Sequence, residues 1–328
     1  MELTLTEFSN IPGHMRSLNI LRDLSSVADL IEICFNTTTD TEDRSQVDQM
    51  RRNAHDSEFL NWAPRMIDVI SLPLSGFVWE DKGKIIGNVS LVPFRQNGRR
   101  IYLIANVATH PDYRRRGIGR ILTDMAMQRA REKGANALWL HVREDNPGAV
   151  QLYRDLGFRE RMRRTEWYAA SGTVPRGQHE NSLKIRPRST RDWDTQRNWL
   201  ERAYPSDTDW YQQHSWTAFG PGLWKSIYRL ITDIDASQWA IEAAGKLQGV
   251  VSCRAKENHQ SYTWLAIPPR PAPQPLTNLL LHARRSFSHT HGLHLEYPVG
   301  PADQSICAAG FSPRRTLLWM ESPGQQPN

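Results

Sequence analysis

The 328-residue chain is poor in cysteine: it has three, Cys34, Cys253 and Cys307, widely separated and with no CxxC pair. That scarcity excludes a disulfide framework and the usual zinc or redox thiol spacing, so no metal is expected and the thiols are expected to be buried. No run approaches the roughly 18 uninterrupted apolar residues of a membrane helix. The N-terminal stretch MELTLTEFSNIPGHMRS also lacks the basic and then apolar regions of a secretory signal. A cytoplasmic protein without a membrane partner is the expectation. Concentrated charge of one sign is missing as well. The formal net charge is +6, but residues 1–183 hold 25 Lys/Arg against 23 Asp/Glu and residues 184–328 hold 16 against 12. Neither half has the excess that a nucleic-acid-binding surface requires.

With 39% hydrophobic and 23% charged residues the chain can bury ordinary cores, and its length favours two domains. The boundaries expected are a first domain over residues 1–170, a linker over 171–182 rich in polar residues, Gly and Pro, and a second domain over 183–328. The two domains resemble each other. GKIIGNVSL from Gly83 matches GKLQGVVSC from Gly245, and LGFRERMRRTEWY from Leu156 matches AGFSPRRTLLWM from Ala309. LNILRDLSSVADLIEICF from Leu18 likewise matches LKIRPRSTRDWDTQRNWL from Leu183. Matches kept in order indicate two copies of one fold. In the first copy the pattern predicts a strand at 18–21, helices over about 25–70, and strands near 76–79, 85–93 and 101–109. A helix after Gly117, a strand at 137–142, a short helix at 147–156 and a strand at 161–168 complete it. That alternation implies an α/β protein with a mixed sheet covered by helices.

One segment points to chemistry. HPDYRRRGIGRIL, from His110, places three arginines before two glycines and then an apolar stripe, Ile118, Ile121, Leu122 and Met125. The first N–H groups of a helix lack intrahelical partners, and the helix dipole adds positive charge there, so its N-terminus suits an anion. Gly117 and Gly119 let a phosphate approach the backbone. Arg114, Arg115, Arg116 and Arg120 can add charge-assisted contacts, although not all four can reach one ligand. A capped surface helix with a solvated charge run is the alternative.

VATHPDYRRRGIG resembles motif A of the GNAT superfamily of N-acetyltransferases, whose pattern Arg/Gln-x-x-Gly-x-Gly/Ala falls on Arg114, Gly117 and Gly119. LHVREDNPGAVQLYRDLGF is similar to the superfamily's motif B. The resemblance spans most of residues 18–170. It implies two tandem acyl-CoA N-acyltransferase folds and acetyl-CoA as cosubstrate, with the backbone of Arg114, Arg115, Arg116, Gly117, Ile118, Gly119 and Arg120 holding its pyrophosphate. It also implies that Val107, Ala108 and Thr109 carry a strand bulge facing the pantetheine arm and the thioester carbonyl, where a fixed donor would stabilise developing negative charge.

Tyr153 stands where the superfamily has its usual tyrosine and is the candidate acid for the departing thiolate. Asn146, a frequent motif B residue, can cap the short helix that carries Tyr153 and join the cofactor contacts. His141 alternates with Leu140 and Val142 on its strand, which places it on the opposite face. It is the candidate base, directly or through water, where related protein N-terminal acetyltransferases often have glutamate. Asn106 and Glu80 are possible polar groups near the acceptor, and Asp40, Glu42, Asp43 and Asp48 form an acidic segment. Direct attack by a primary amine of a small molecule or peptide is expected, because no Ser-His-Asp or Cys-His set supports a covalent enzyme intermediate. A catalytically silent coenzyme A-binding or scaffold protein is the competing reading. In the second copy Pro271 and Pro273 replace the two glycines. Proline removes the backbone N–H, so that copy is expected to be degenerate.

Overall fold

The computed structural model describes residues 11–35, 41–66, 71–172, 174–175, 183–208, 210–211, 216–220, 236–255, 261–287 and 292–324. The chain forms two compact units, each assembled from separate stretches. The first comprises Met1–Val142, Pro147–Arg161 and Trp319–Asn328, and the second Arg143–Asn146 and Met162–Leu318.

The first unit begins with β1 (His14–Ser17), α1 (Ile20–Phe35), α2 (Thr41–His55) and α3 (Ser57–Met66). Residues 18–21, expected as a strand, instead lead into the helix. Asn19 Oδ1 accepts the Leu21 N–H at 3.0 Å, an N-cap that starts α1. Ile20 and Leu24 then enter the core, so the apparent alternation is the start of a helical stripe. There follow β2 (Ser75–Asp81), β3 (Lys84–Gln96), β4 (Arg99–Thr109), α4 (Ile118–Glu132), β5 (Ala137–Arg143) and α5 (Pro147–Asp155).

Neighbours from β1 to β4 are antiparallel, while β4 and β5 pair in parallel over residues 101–104 and 137–140. Residues 319–323 lie beside β5, and Gly324 N–H donates to Asn136 O at 3.0 Å. Residues 319–324 thus complete the first unit.

Glycine at position 87 fixes where α4 rests. A Cβ there would lie 2.8 Å from Ile118 Cγ2 and 2.9 Å from Leu122 Cδ1, so a larger residue would lift the helix off the sheet. Ile118 and Leu122 are fully buried, each stabilising the docking by about 1.5–3 kcal/mol. On the opposite face Val78, across from Asn88, packs with Val27, Ala28 and Ile31 of α1. The sheet is therefore covered on both sides, with the N-terminus of α4 held at the end of β4.

The second unit contains residues 162–169 of β6 (Arg159–Ala169), then β7 (Leu183–Pro187), α6 (Trp193–Ala203), β8 (Ala236–Ala243), β9 (Lys246–Ala255) and β10 (Ser261–Ala266). It continues with α7 (Pro273–Ser286), β11 (Leu293–Pro298), α8 (Asp303–Ala308) and most of β12 (Ser312–Pro323). Strands β7 to β10 are antiparallel neighbours, β10 and β11 are parallel, and β11 pairs antiparallel with residues 164–169. This repeats the order of the first unit and makes the protein a mixed α/β tandem of one fold.

The repeat extends to side chains. Arg16 Nε donates to Glu80 at 2.7 Å, and its two terminal nitrogens donate to the Asp23 carboxylate at 2.6 and 2.9 Å. Arg186 binds Glu242 at 2.6 Å and Asp192 at 2.7 and 2.8 Å in the same way. Arg186 holds the Asp192 carboxyl below its ordinary value against the opposing effect of burial. At Asp23 burial opposes ionisation most strongly, but Arg16, the Asn19 N–H and Arg22 together outweigh it.

The cysteines differ from expectation. Cys253 is buried, and burial pushes its thiol up to about 12, but Cys34 is half-buried and Cys307 is exposed. Cys307 lies next to buried Ile306 on the short helix α8, whose outer side faces solvent. Among the described residues no helix is long and apolar enough to cross a membrane.

Candidate active site

A single turn of 3-10 helix, Pro111–Tyr113, links β4 to α4. His110 caps that turn, as its place before Pro111 suggests, accepting the Asp112 N–H at 3.4 Å. Gly117 then adopts φ +85°, a left-handed conformation, immediately before the helix, which a residue with a side chain would adopt only with strain. The first helical bond closes from Ile121 N–H to Gly117 O at 3.1 Å. The N–H groups of Ile118, Gly119 and Arg120 precede it and have no partner within the helix. Gly119 faces Thr109 and α5: a Cβ there would lie 3.6 Å from Thr109 Oγ1 and 3.9 Å from Leu152 Cδ2. Thr109, Gly119 and the helix carrying Tyr153 are therefore brought together.

The arginines divide among different tasks. Arg114 turns back, donating to Thr109 O at 3.2 Å and Cys34 O at 3.4 Å. Arg116 donates to Asp112 O at 3.1 Å and covers the Tyr113 ring at 5.1 Å. Arg120 lies 3.6 Å from Asp155 at the end of α5. Arg115 is exposed, with φ +63°. Arg116, Gly117, Ile118, Gly119 and Arg120 supply consecutive backbone N–H groups around the helix start, and this set suits a diphosphate in charge and donor number.

Beside it β4 is irregular. Asn88 pairs with Ala108 but Ser90 pairs with Ala105, so β4 has one extra residue over this stretch, a bulge. Asn106 carries it with φ +51°, a conformation asparagine tolerates better than most residues. The bulge directly follows the parallel pairing of β4 with β5. Val107, Ala108 and Thr109 lie just beyond it, and Thr109 pairs with Gly87.

Tyr153 is buried in α5, 6% exposed, with its ring 6.1 Å from Phe158 in an edge arrangement. Burial raises its phenol well above the ordinary value, so it remains protonated at neutral pH and has a proton to donate. His141 is half-buried on β5 between buried Leu140 and Val142, and its ring lies 4.0 Å from that of Trp319, tilted by 31°. Asn146 is exposed and belongs to the 143–146 segment of the second unit.

Sequence reasoning missed Trp319, which the repeat identified only as part of a C-terminal strand. It also missed the half-buried Cys34 thiol, 3.2 Å from Thr109 O, because helix α1 is distant from the motif in sequence. Burial raises this thiol and neighbouring Arg114 opposes that rise. Glu80 is not an available acceptor-site group: it is bound to Arg16 and Arg22. Asp40 lies outside the described residues, and Asp48 stands 3.6 Å from Arg51. Trp210 and Trp216 are buried. No cluster of three potential metal ligands occurs among the described residues.

The first unit thus joins a bulged strand of a mixed sheet to a glycine-opened helix. Comparison with known proteins adds a family likeness to this geometry. Residues 35–158 match the family model described as the acetyltransferase (GNAT) family. A 63-residue stretch is 41% identical to the ribosomal protein bS18 alanine N-acetyltransferase of Escherichia coli, covering 19% of this chain and 43% of that enzyme. Another similarity, 44% over 55 residues, is to streptothricin acetyltransferase of Streptomyces lavendulae, covering 17% of this chain and 29% of that one. The chain thus spans less than half the length of these relatives. The crystal structure of a GCN5-related N-acetyltransferase from Sphaerobacter thermophilus has the same fold over 96% of this chain and 97% of its own, with TM-score 0.58 and 14% identity. The likeness to the GNAT family thus lies within residues 35–158, less than half of the chain.

Proposed function

We propose that this protein transfers an acetyl group from acetyl-CoA directly to a primary amine of a small molecule or peptide N-terminus, with the reacting centre in the first unit. The observation that carries the reading is one junction: the bulge at Asn106, the open N–H groups of α4 at Gly119, and the α5 helix of Tyr153. Relatives named for acetylating a ribosomal protein alanine and for streptothricin support an acetyltransferase chemistry.

In this reading the thioester supplies an activated acetyl group. The N–H groups at the start of α4 bind the pyrophosphate, and Val107, Ala108 and Thr109 offer main-chain groups to the pantetheine arm. An N–H beside the bulge donates to the carbonyl oxygen as negative charge develops there. His141 takes a proton from the amine, directly or through water, so that the neutral nitrogen attacks. Tyr153 donates its hydroxyl proton late in the breaking of the carbon–sulfur bond, since a raised phenol pKa makes complete prior transfer unfavourable.

Acetyl-CoA is expected to raise the thermal midpoint of the wild type, and Gly119→Pro to abolish that rise; no rise with wild type rejects the cosubstrate. Tyr153→Phe should lower turnover about 100-fold or more while leaving the acetyl-CoA shift intact. A screen of amines, amino acids and peptides for coenzyme A release identifies the acceptor.

A further inference from the structure

Asn88 lies on β3 opposite the bulge and is fully buried. Its Nδ2 donates to Asn106 O at 2.8 Å and to Ser90 Oγ at 3.3 Å. A carbonyl oxygen only accepts, so the Asn106 contact fixes which end of the amide faces the bulge. The other end, Oδ1, is buried without a hydrogen-bond partner, an arrangement that costs stability. A residue chosen for the core alone would be apolar here.

The second copy shows that alternative. GKIIGNVSL and GKLQGVVSC align Gly87 with Gly249, Ser90 with Ser252 and Asn88 with Val250. Val250 is fully buried, and its partner strand β10 pairs with β9 residue for residue, from Ser261 against Ala255 to Ala266 against Val250, without a bulge. The polar residue and the bulge are present together in one unit and absent together in the other.

We infer that Asn88 is a positioning residue: its amide clamps the Asn106 carbonyl and so holds the left-handed bulge that aims the N–H groups following it. Asn106 stands at the register shift with φ +51°, and the Asn88 amide donates to its carbonyl. Without that donor the bulge loses the bond that favours it over a regular ladder. The kinetic consequence rests on the proposed acetyl transfer, whereas the structural one does not.

The decisive measurement is amide hydrogen exchange on the ligand-free full chain. Asn88→Val should speed exchange over residues 105–109 by about tenfold or more, with α4 and β5 unchanged, as local opening does. Unchanged exchange in that segment overturns the inference whatever the activity. In kinetics, Asn88→Val should lower kcat about 10- to 100-fold, the scale of a small misplacement, with little change in KM for acetyl-CoA because the start of α4 is untouched. A loss confined to KM also overturns it. Asn88→Asp supplies a further check and a fallback should the valine variant fold poorly. Its ionised carboxylate cannot donate, but its protonated form can, so its activity relative to wild type should rise as pH falls, and a flat ratio counts against the clamp. If wild type acetylates no amine, the proposed activity fails while the exchange experiment still decides the role of Asn88.

Discussion

In the first unit β4 bulges at Asn106 and leads into a helix opened by Gly117 and Gly119; in the second, β10 keeps its register and leads through Pro271 into a helix whose first residue is Pro273. Around these differences the two units agree closely. Each has an antiparallel run ending in a parallel pair, a glycine where its long helix crosses the sheet, and an arginine bound to two carboxylates. What both units retain is scaffold. What one lacks is where the proposed chemistry of the other lies. The same logic removes Glu80 from the acceptor site, since Glu242 occupies the corresponding place in a unit that has no such loop.

The contrast can be broken most severely by exchanging the loops. Giving the first unit prolines, Gly117→Pro with Gly119→Pro, should reduce acetyl-CoA affinity at least about 100-fold, because the left-handed turn and two N–H groups are lost. The reverse exchange, Pro271→Gly with Pro273→Gly, should leave the stoichiometry by calorimetry at one per chain, since β10 still lacks a bulge. A second binding event after the reverse exchange would show that glycines alone make the site.

A smaller effect tests the shared scaffold. Arg16→Met leaves Asp23, only 2% exposed, without its main partner, and Arg186→Met does the same to Asp192, 5% exposed. Each should cost about 3 kcal/mol in denaturant unfolding, the scale for breaking a buried pair. Neither should change acetyl-CoA affinity at a temperature where the chain stays folded. A selective loss of affinity in Arg16→Met would move that cluster into the site.

The outline of both units was readable because glycine, helix stripes and matched segments are local signals. Gly83, Gly87, Gly245 and Gly249 marked the same hairpin in each copy, and Gly117 with Ile118 and Leu122 located α4. The bulge was foreseen over residues 107–109 through resemblance, whereas the turn in the backbone falls on Asn106, whose partner Asn88 is eighteen residues away. Trp319 was invisible for a related reason. The segment that completes the first unit comes from the far end of the chain, and its neighbour His141 gives no local hint of it. Likewise the strand over His14–Ser17 lacks the apolar alternation that falsely marked 18–21, because its Arg16 is committed to an ion cluster built from three separate elements.

The finest test separates the two loop glycines from each other. Gly117 has room for a side chain, with nothing within 4 Å of an added Cβ, but its φ of +85° penalises any L-residue by about 1–2 kcal/mol. Gly119 lies at ordinary contact distance from Thr109 and Leu152, in helical backbone. Gly119→Ala therefore retains the N–H, fits the space and gains helix propensity. It should leave folding stability unchanged or raised by a few tenths of a kcal/mol, and weaken acetyl-CoA binding by less than about threefold, or about 0.6 kcal/mol. Gly117→Ala should instead lower the thermal midpoint, and weaken binding further by tilting the N–H groups that the left-handed turn presents. If Gly119→Ala lost binding as completely as Gly119→Pro, the limiting factor at residue 119 would be close approach of the ligand, not the donated hydrogen bond. The second unit, which has lost both glycines, could not make that distinction.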